Sequence, residues 1–135
     1  MDTNQISDSL QLRLEMDLKK LLAVNDQVRA VLLATTDGFE VAYCGDLGSS
    51  TPSNISAMTS SMLSLAIAMV NETGLSSCLN LMVEGGQGRA IIMSVPSKNK
   101  PMLLTVLTRE QVSLGQLLLD AKITVKQLSD KLENC

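Results

Sequence analysis

No histidine occurs anywhere in the 135 residues. That removes the commonest general base and the commonest metal ligand together. A structural zinc site would then need Cys44, Cys78 and Cys135 plus a carboxylate, and these thiols stand far apart with no CxxC spacing. Thiols so few and so scattered fit a reducing compartment, and the chain reads as cytoplasmic. Tryptophan is absent too, and Phe39 and Tyr43 are the only other aromatics, which leaves little to line a small-molecule pocket. No catalytic residue, cofactor, metal or small-molecule substrate is expected. Basic residues are outnumbered, the net charge is -3, and lysines and arginines are scattered, so nucleic acid is not an expected partner. The opening "MDTNQISDS" has neither a basic start nor an apolar stretch, so no secretory signal is expected in it.

What is present is largely apolar. Hydrophobic residues make up 45% and charged residues 19%, which places the chain with globular rather than disordered proteins. Its length suits one domain with one core. Residues 1–8 are expected to form a flexible tail, and residues 9–135 a single domain.

"LQLRLEMDL" (10–18) alternates as a strand would, yet Leu10, Leu14, Leu18, Leu21 and Leu22 also share one helical face. Glu15 and Lys19 make a favourable i,i+4 pair and no β-branched residue interrupts residues 10–23, so a helix capped by Ser7 or Asp8 is preferred. Leu12 and Met16 then fall on its far side. "VRAVLLATT" (28–36) reads as a buried strand, Asp37-Gly38 as a two-residue hairpin turn, and "FEVAYC" as a second strand with Phe39, Val41 and Tyr43 on one face. A second helix follows, capped by Ser53 or Asn54 and stopped by Gly74. "SCLNLMVE" and "RAIIMSV" flank a Gly-rich hairpin, and "PSKNKP" leads to "MLLTVL". Thr108 and Gln111 form a capping box for a last helix striped by Leu114, Leu118, Ala121, Val125, Leu128 and Leu132.

The order is α-β-β-α-β-β-β-α, an α+β class. Strands 1, 4 and 5 are apolar on both faces and belong in the centre; strands 2 and 3 belong at the edges. With hairpins joining 1 to 2, 3 to 4 and 4 to 5, the sheet is five-stranded and antiparallel in the order 2-1-5-4-3, with helices on both faces.

The second helix holds the longest uncharged run, "ISAMTSSMLSLAIAMV" (55–70). Sixteen residues broken by serines and a threonine fall short of the about 20 that a bilayer span requires, so no membrane insertion is expected. Ile55, Met58, Met62, Leu65 and Met69 form one stripe, and Leu63, Ala66, Ile67 and Val70 a second beside it. Together they cover roughly twice the arc that a surface helix devotes to its own core. A second copy of the same helix is the simplest cover for the excess. Strand 3, an edge with Leu79, Leu81, Met82 and Val83 and no internal charge, calls for pairing as well. The expected homodimer interface is therefore Met58, Met62, Leu65, Met69, Leu79, Leu81 and Val83. Ala57, Ser60, Ser61, Ser64 and Ala68 make a small, uncharged platform beside it, the expected surface for another partner, with methionines adaptable enough to repack.

"EGGQGR" (84–89) lacks the phosphate-loop pattern and precedes a strand, so it reads as a turn. Lys98 and Lys100 read as a solvated loop. Arg13, Arg29, Arg89 and Arg109 sit on or beside regular elements, and none projects from a long loop as a donated catalytic arginine would.

Four segments together resemble the Roadblock family, which includes dynein light chains and bacterial regulators of Ras-like GTPases. They are "VRAVLLATTDGFEVAY", "AMTSSMLSLAIAMVNETG", "LMVEGGQGRAIIMSV" and "LLTVLTREQVSLGQLLLDAK", and the likeness spans Val28 to Leu132. The resemblance implies the same five-stranded sheet and a homodimer through the second helix and third strand. It further implies a Ras-like small GTPase as partner, or a scaffold role in a larger complex. No residue here matches a catalytic role in that family.

Overall fold

The structure, a computed structural model, describes residues 6–110 and 113–134. Helix α1 (Asp8–Val24) is followed by strands β1 (Val28–Thr35) and β2 (Glu40–Gly45), helix α2 (Pro52–Glu72), strands β3 (Leu81–Gly85), β4 (Gly88–Val95) and β5 (Met102–Thr108), and helix α3 (Leu114–Glu133). All neighbours are antiparallel and the sheet order is β2-β1-β5-β4-β3. Both faces of the central strands are buried. Val31, Leu33, Ile91, Met93, Leu104 and Val106 point to one side, and Ala34, Ile92 and Leu103 to the other. This alternation follows from the period-2 geometry of a strand whose residues are apolar at every position.

Two helices cover the first side. α1 lies over β1 and β2, with Leu10, Leu14, Leu18 and Leu21 buried; α3 runs beside it over β4 through Leu117, Ala121, Leu128 and Leu132. Asp17, almost wholly buried, accepts from Lys131 on Oδ1 at 3.1 Å and forms an ion pair with it through Oδ2 at 2.9 Å, which ties the two helices together. Among the described residues the second side is covered by α2 alone, which sits over β1 and β2.

Several local expectations are corrected. Ile6 is buried against the domain, and Ser7 caps α1 by accepting from the Leu10 amide at 3.1 Å, so the helix already begins at Asp8. The β1–β2 connection is longer than two residues: Thr35 and Phe39 close it by backbone bonding at 2.8 Å, with Gly38 at φ 100°. Leu33 pairs with Ala42 but Ala34 pairs with Glu40, so Val41 is an extra residue in β2. The bulge shifts the alternation by one position. Val41, Ala42 and Cys44 therefore join the core while Phe39 and Tyr43 are exposed. Gln11 donates to the freed Val41 carbonyl at 2.6 Å.

Helix α2 starts earlier than expected, because Pro52 has the φ of a first helical residue and Thr51 caps it, accepting from the Asn54 amide at 3.1 Å. Gly74, at φ 73°, ends it as expected. The cap of α3 is Ser113, not Thr108, which closes β5 and accepts from the Arg89 amide at 2.9 Å. Gln111 and Cys135 lie outside the described residues. β3 is short: it begins at Leu81, leaving Leu79 beyond the strand and highly exposed, since β4 offers it no ladder partner.

Candidate interaction face

The unequal cover of the sheet makes the site. Only Ser56, Thr59 and Leu63 of the 21-residue α2 are buried. Ser and Thr at the contact let the helix backbone come close to the sheet, and the Thr59 hydroxyl turns back to the Ile55 carbonyl at 2.9 Å. On one flank the β1–β2 turn docks on α2. The Ser60 hydroxyl donates to the Thr36 carbonyl at 2.6 Å, and Gly38 lies against Ala57 and Ser60, where a Cβ would meet both at 3.5–3.6 Å. Asp37 shapes this turn by accepting from the Thr35 hydroxyl at 2.6 Å; that bond holds the Asp37 carboxyl below its usual range.

The other flank is open. Between α2 and the β3–β4–β5 half of the sheet runs a groove of about 180 Å³, lined by Ile55, Met58, Met62, Val83, Ile92 and Leu107 with Ala90 between them. Its floor includes Thr105, a buried hydroxyl without a hydrogen-bond partner among the described residues. Beyond the groove, Leu65 and Met69 continue the apolar surface along the second half of α2, with Leu65 at 72% exposure. Met62, Cys78 and Leu81, partly buried, pack against the cluster of Ala34, Leu63, Ile92 and Leu103.

The residues expected at a dimer interface thus divide. Met58, Leu65, Met69 and Val83 are exposed together on one side; Met62 and Leu81 are half-buried at its margin; Leu79 stands apart in the loop. Of the small-residue platform, Ala57, Ser61, Ser64 and Ala68 are exposed on the outer arc of α2, while the Ser60 hydroxyl is taken by the chain's own turn. Sequence reasoning missed Ile55, Ala90, Thr105 and Leu107 as groove residues. Their signal is the odd-numbered face of β5, Leu103, Thr105 and Leu107, matched by Ala90 and Ile92 in register on β4.

Chemistry elsewhere is sparse. The Cys44 thiol is pushed up by burial, the state of an inert core thiol rather than a nucleophile. Arg29 donates to the Asp46 carbonyl at 3.0 Å, Arg89 pairs with Glu84 at 2.9 Å and Arg109 donates to the Asp26 carbonyl at 3.3 Å. Arg109 directly follows β5 rather than opening a helix. The "PSKNKP" loop is fastened to the end of α3 by the Lys98 amide, which donates to Glu133 at 2.9 Å. Among the described residues no cluster of three metal-ligating side chains occurs.

An exposed apolar helix face of this kind is equipped to bind another protein surface. Comparison with known proteins agrees on the architecture. The gliding protein MglB from Thermus thermophilus superposes with a TM-score of 0.81 at 16% identity, over 96% of each chain. An MglB in a tetrameric arrangement gives 0.84 at 17% identity, over 96% of this chain and 94% of that one. A Roadblock/LC7 domain from Streptomyces avermitilis gives 0.78 at 18% identity, over 87% and 96%. No curated protein matches in sequence. The model of the Roadblock/LC7 domain matches residues 14–108, most of the chain, and the protein belongs to that family.

Proposed function

We propose that the protein is a non-catalytic homodimer that regulates, or acts as effector of, a Ras-like small GTPase in the cytoplasm, and that it binds through paired α2 helices. The observation that carries this reading is the exposed run Met58, Leu65 and Met69 beside the open groove. An apolar surface so extended on a small domain calls for a protein cover. A second copy supplies a matching helix: across a twofold axis, each α2 lays its Met58–Met69 stripe against the partner, and Val83 at the short β3 edge meets its equal. The outer arc of the joined helices, Ala57, Ser61, Ser64 and Ala68, then forms a flat platform for the GTPase. Without a donated arginine, any effect on hydrolysis would come from holding the GTPase's own switch residues in position.

The family supports the GTPase as partner class, since bacterial members include regulators of Ras-like GTPases. GTP hydrolysis by a Ras-like GTPase from the same host, measured with and without the protein, tests the reading. A changed rate, or binding that depends on GTP against GDP, is the expected result. An unchanged rate with no nucleotide-dependent binding would leave the alternative, a scaffold subunit of a larger complex.

A further inference from the structure

The two halves of α2 differ in character. The first half walls the apolar groove with Ile55, Met58 and Met62, and it holds the buried residues of the helix, Ser56, Thr59 and Leu63. From Ser64 to Glu72 no residue is buried, and Leu65 and Met69 stand exposed there. That half runs for about 13 Å with none of its faces buried by its own chain. Ile55, Met62 and Met69 recur every seven residues with Met58 and Leu65 between them, so groove wall and exposed ridge are one heptad seam. A seam of this period suits the side of another helix rather than an extended strand or a flat surface.

The groove complements that ridge. Its floor is closed, since Ile92 and Thr105 are each 1% exposed, and no polar atom opens into it. Water is a poor filler for such a hollow, because an ordered water needs polar partners. At about 180 Å³ the space is close to the roughly 150 Å³ that admits a benzene ring, so it takes a side chain or two and not a whole helix. No charged residue occurs in α2 from Pro52 to Asn71, so a copy of the helix laid along it meets no like charge. The first half of α2 has a hollow and the second half has an uncovered ridge, and a twofold axis satisfies both at once. An antiparallel pair centred on Met62 sets the partner's Leu65 opposite Thr59 and the partner's Met69 opposite Ile55, both at the groove.

We propose that each groove receives the Leu65 side chain of a second copy, with the partner's Met69 closing its open end beside Ile55, so that each subunit supplies one knob and one hole. This rests on the homodimer reading above and adds to it the residues that set the pairing. Leu65 is the most exposed large apolar residue of α2, as a knob without its hole would be. Ala90 makes the hole. It stands on β4 opposite Val83 of β3 and Leu107 of β5, and a longer side chain there would occupy the hollow from within.

The test measures the dimer dissociation constant of the full chain by sedimentation equilibrium. Leu65→Ala empties the hole and Ala90→Leu plugs it, and each should weaken the dimer by about tenfold or more. The double variant should be no weaker than the worse single one, because a plugged hole has no use for the knob. Effects that multiply instead would place Leu65 and Ala90 in separate contacts and overturn the proposal. Leu65 is on the surface, so Leu65→Ala keeps the test decisive even if circular dichroism shows Ala90→Leu unfolded: an unmoved constant overturns the pairing. A wild-type chain that stays monomeric ends the homodimer reading and this proposal with it, whereas a wild-type dimer indifferent to both substitutions ends this proposal alone. Sedimentation of the wild type with phosphatidylcholine vesicles, lost in Leu65→Ala, would overturn it in favour of a lipid surface.

Discussion

Asp37 organises the first turn by accepting from the Thr35 hydroxyl, which in turn receives the Phe39 amide at 3.0 Å. A carboxyl whose folded value is lowered stabilises the fold above its ordinary range, and the contribution is lost as pH falls through the folded value. Asp37→Asn should therefore flatten the loss of stability between about pH 5 and pH 3, read as urea midpoints beside the wild type. Equal slopes would mean that the Asp37 carboxyl titrates alike in the folded and unfolded chain and that the bond adds no pH-dependent stability. At this scale the sequence was only partly legible. Asp37-Gly38 marks a turn, but the extra residue at Val41 has no local signature, and it decides that Ala42 and Cys44, rather than Tyr43, enter the core. Ser60 reads as a free hydroxyl until the turn is seen folded onto it.

Among the elements, hydrophobic period and strand order were readable because β1, β4 and β5 are apolar on both faces and the short connections leave one arrangement. Helix starts were less so. Thr51, Ser53 and Asn54 are all good caps, and Pro52 decides among them by fitting the first helical position. Thr51→Ala should cost about 1 kcal/mol in urea unfolding and Ser53→Ala less than about 0.5 kcal/mol. The reverse ranking would return the start of α2 to Ser53. For α3, Thr108 fits a capping box by pattern, yet β5 needs it for the ladder to β1 and for the Arg89 amide, so Ser113 caps instead. The tertiary use of a residue outweighs its local propensity.

For the molecule as a whole, three helices serve a sheet with two apolar faces, and two of them are spent on one side. The lone α2 leaves the β3–β4–β5 half of its side open. That imbalance was legible from the width of the apolar arc on the second helix, but the groove beside it was not, because it is built from residues of four separate elements. If two copies share this surface, Met62→Glu sets a carboxylate at the margin of the shared face. It should weaken self-association by at least about a hundredfold, since an unpaired charge is costly to bury. Retained helical circular dichroism would separate that loss from unfolding.

Sedimentation of the unmodified chain at micromolar concentration is the most direct measurement. A single species at twice the 14.5 kDa of one chain is the expected result. A well-behaved species of one chain's mass would contradict the shared α2 face and the platform built on it.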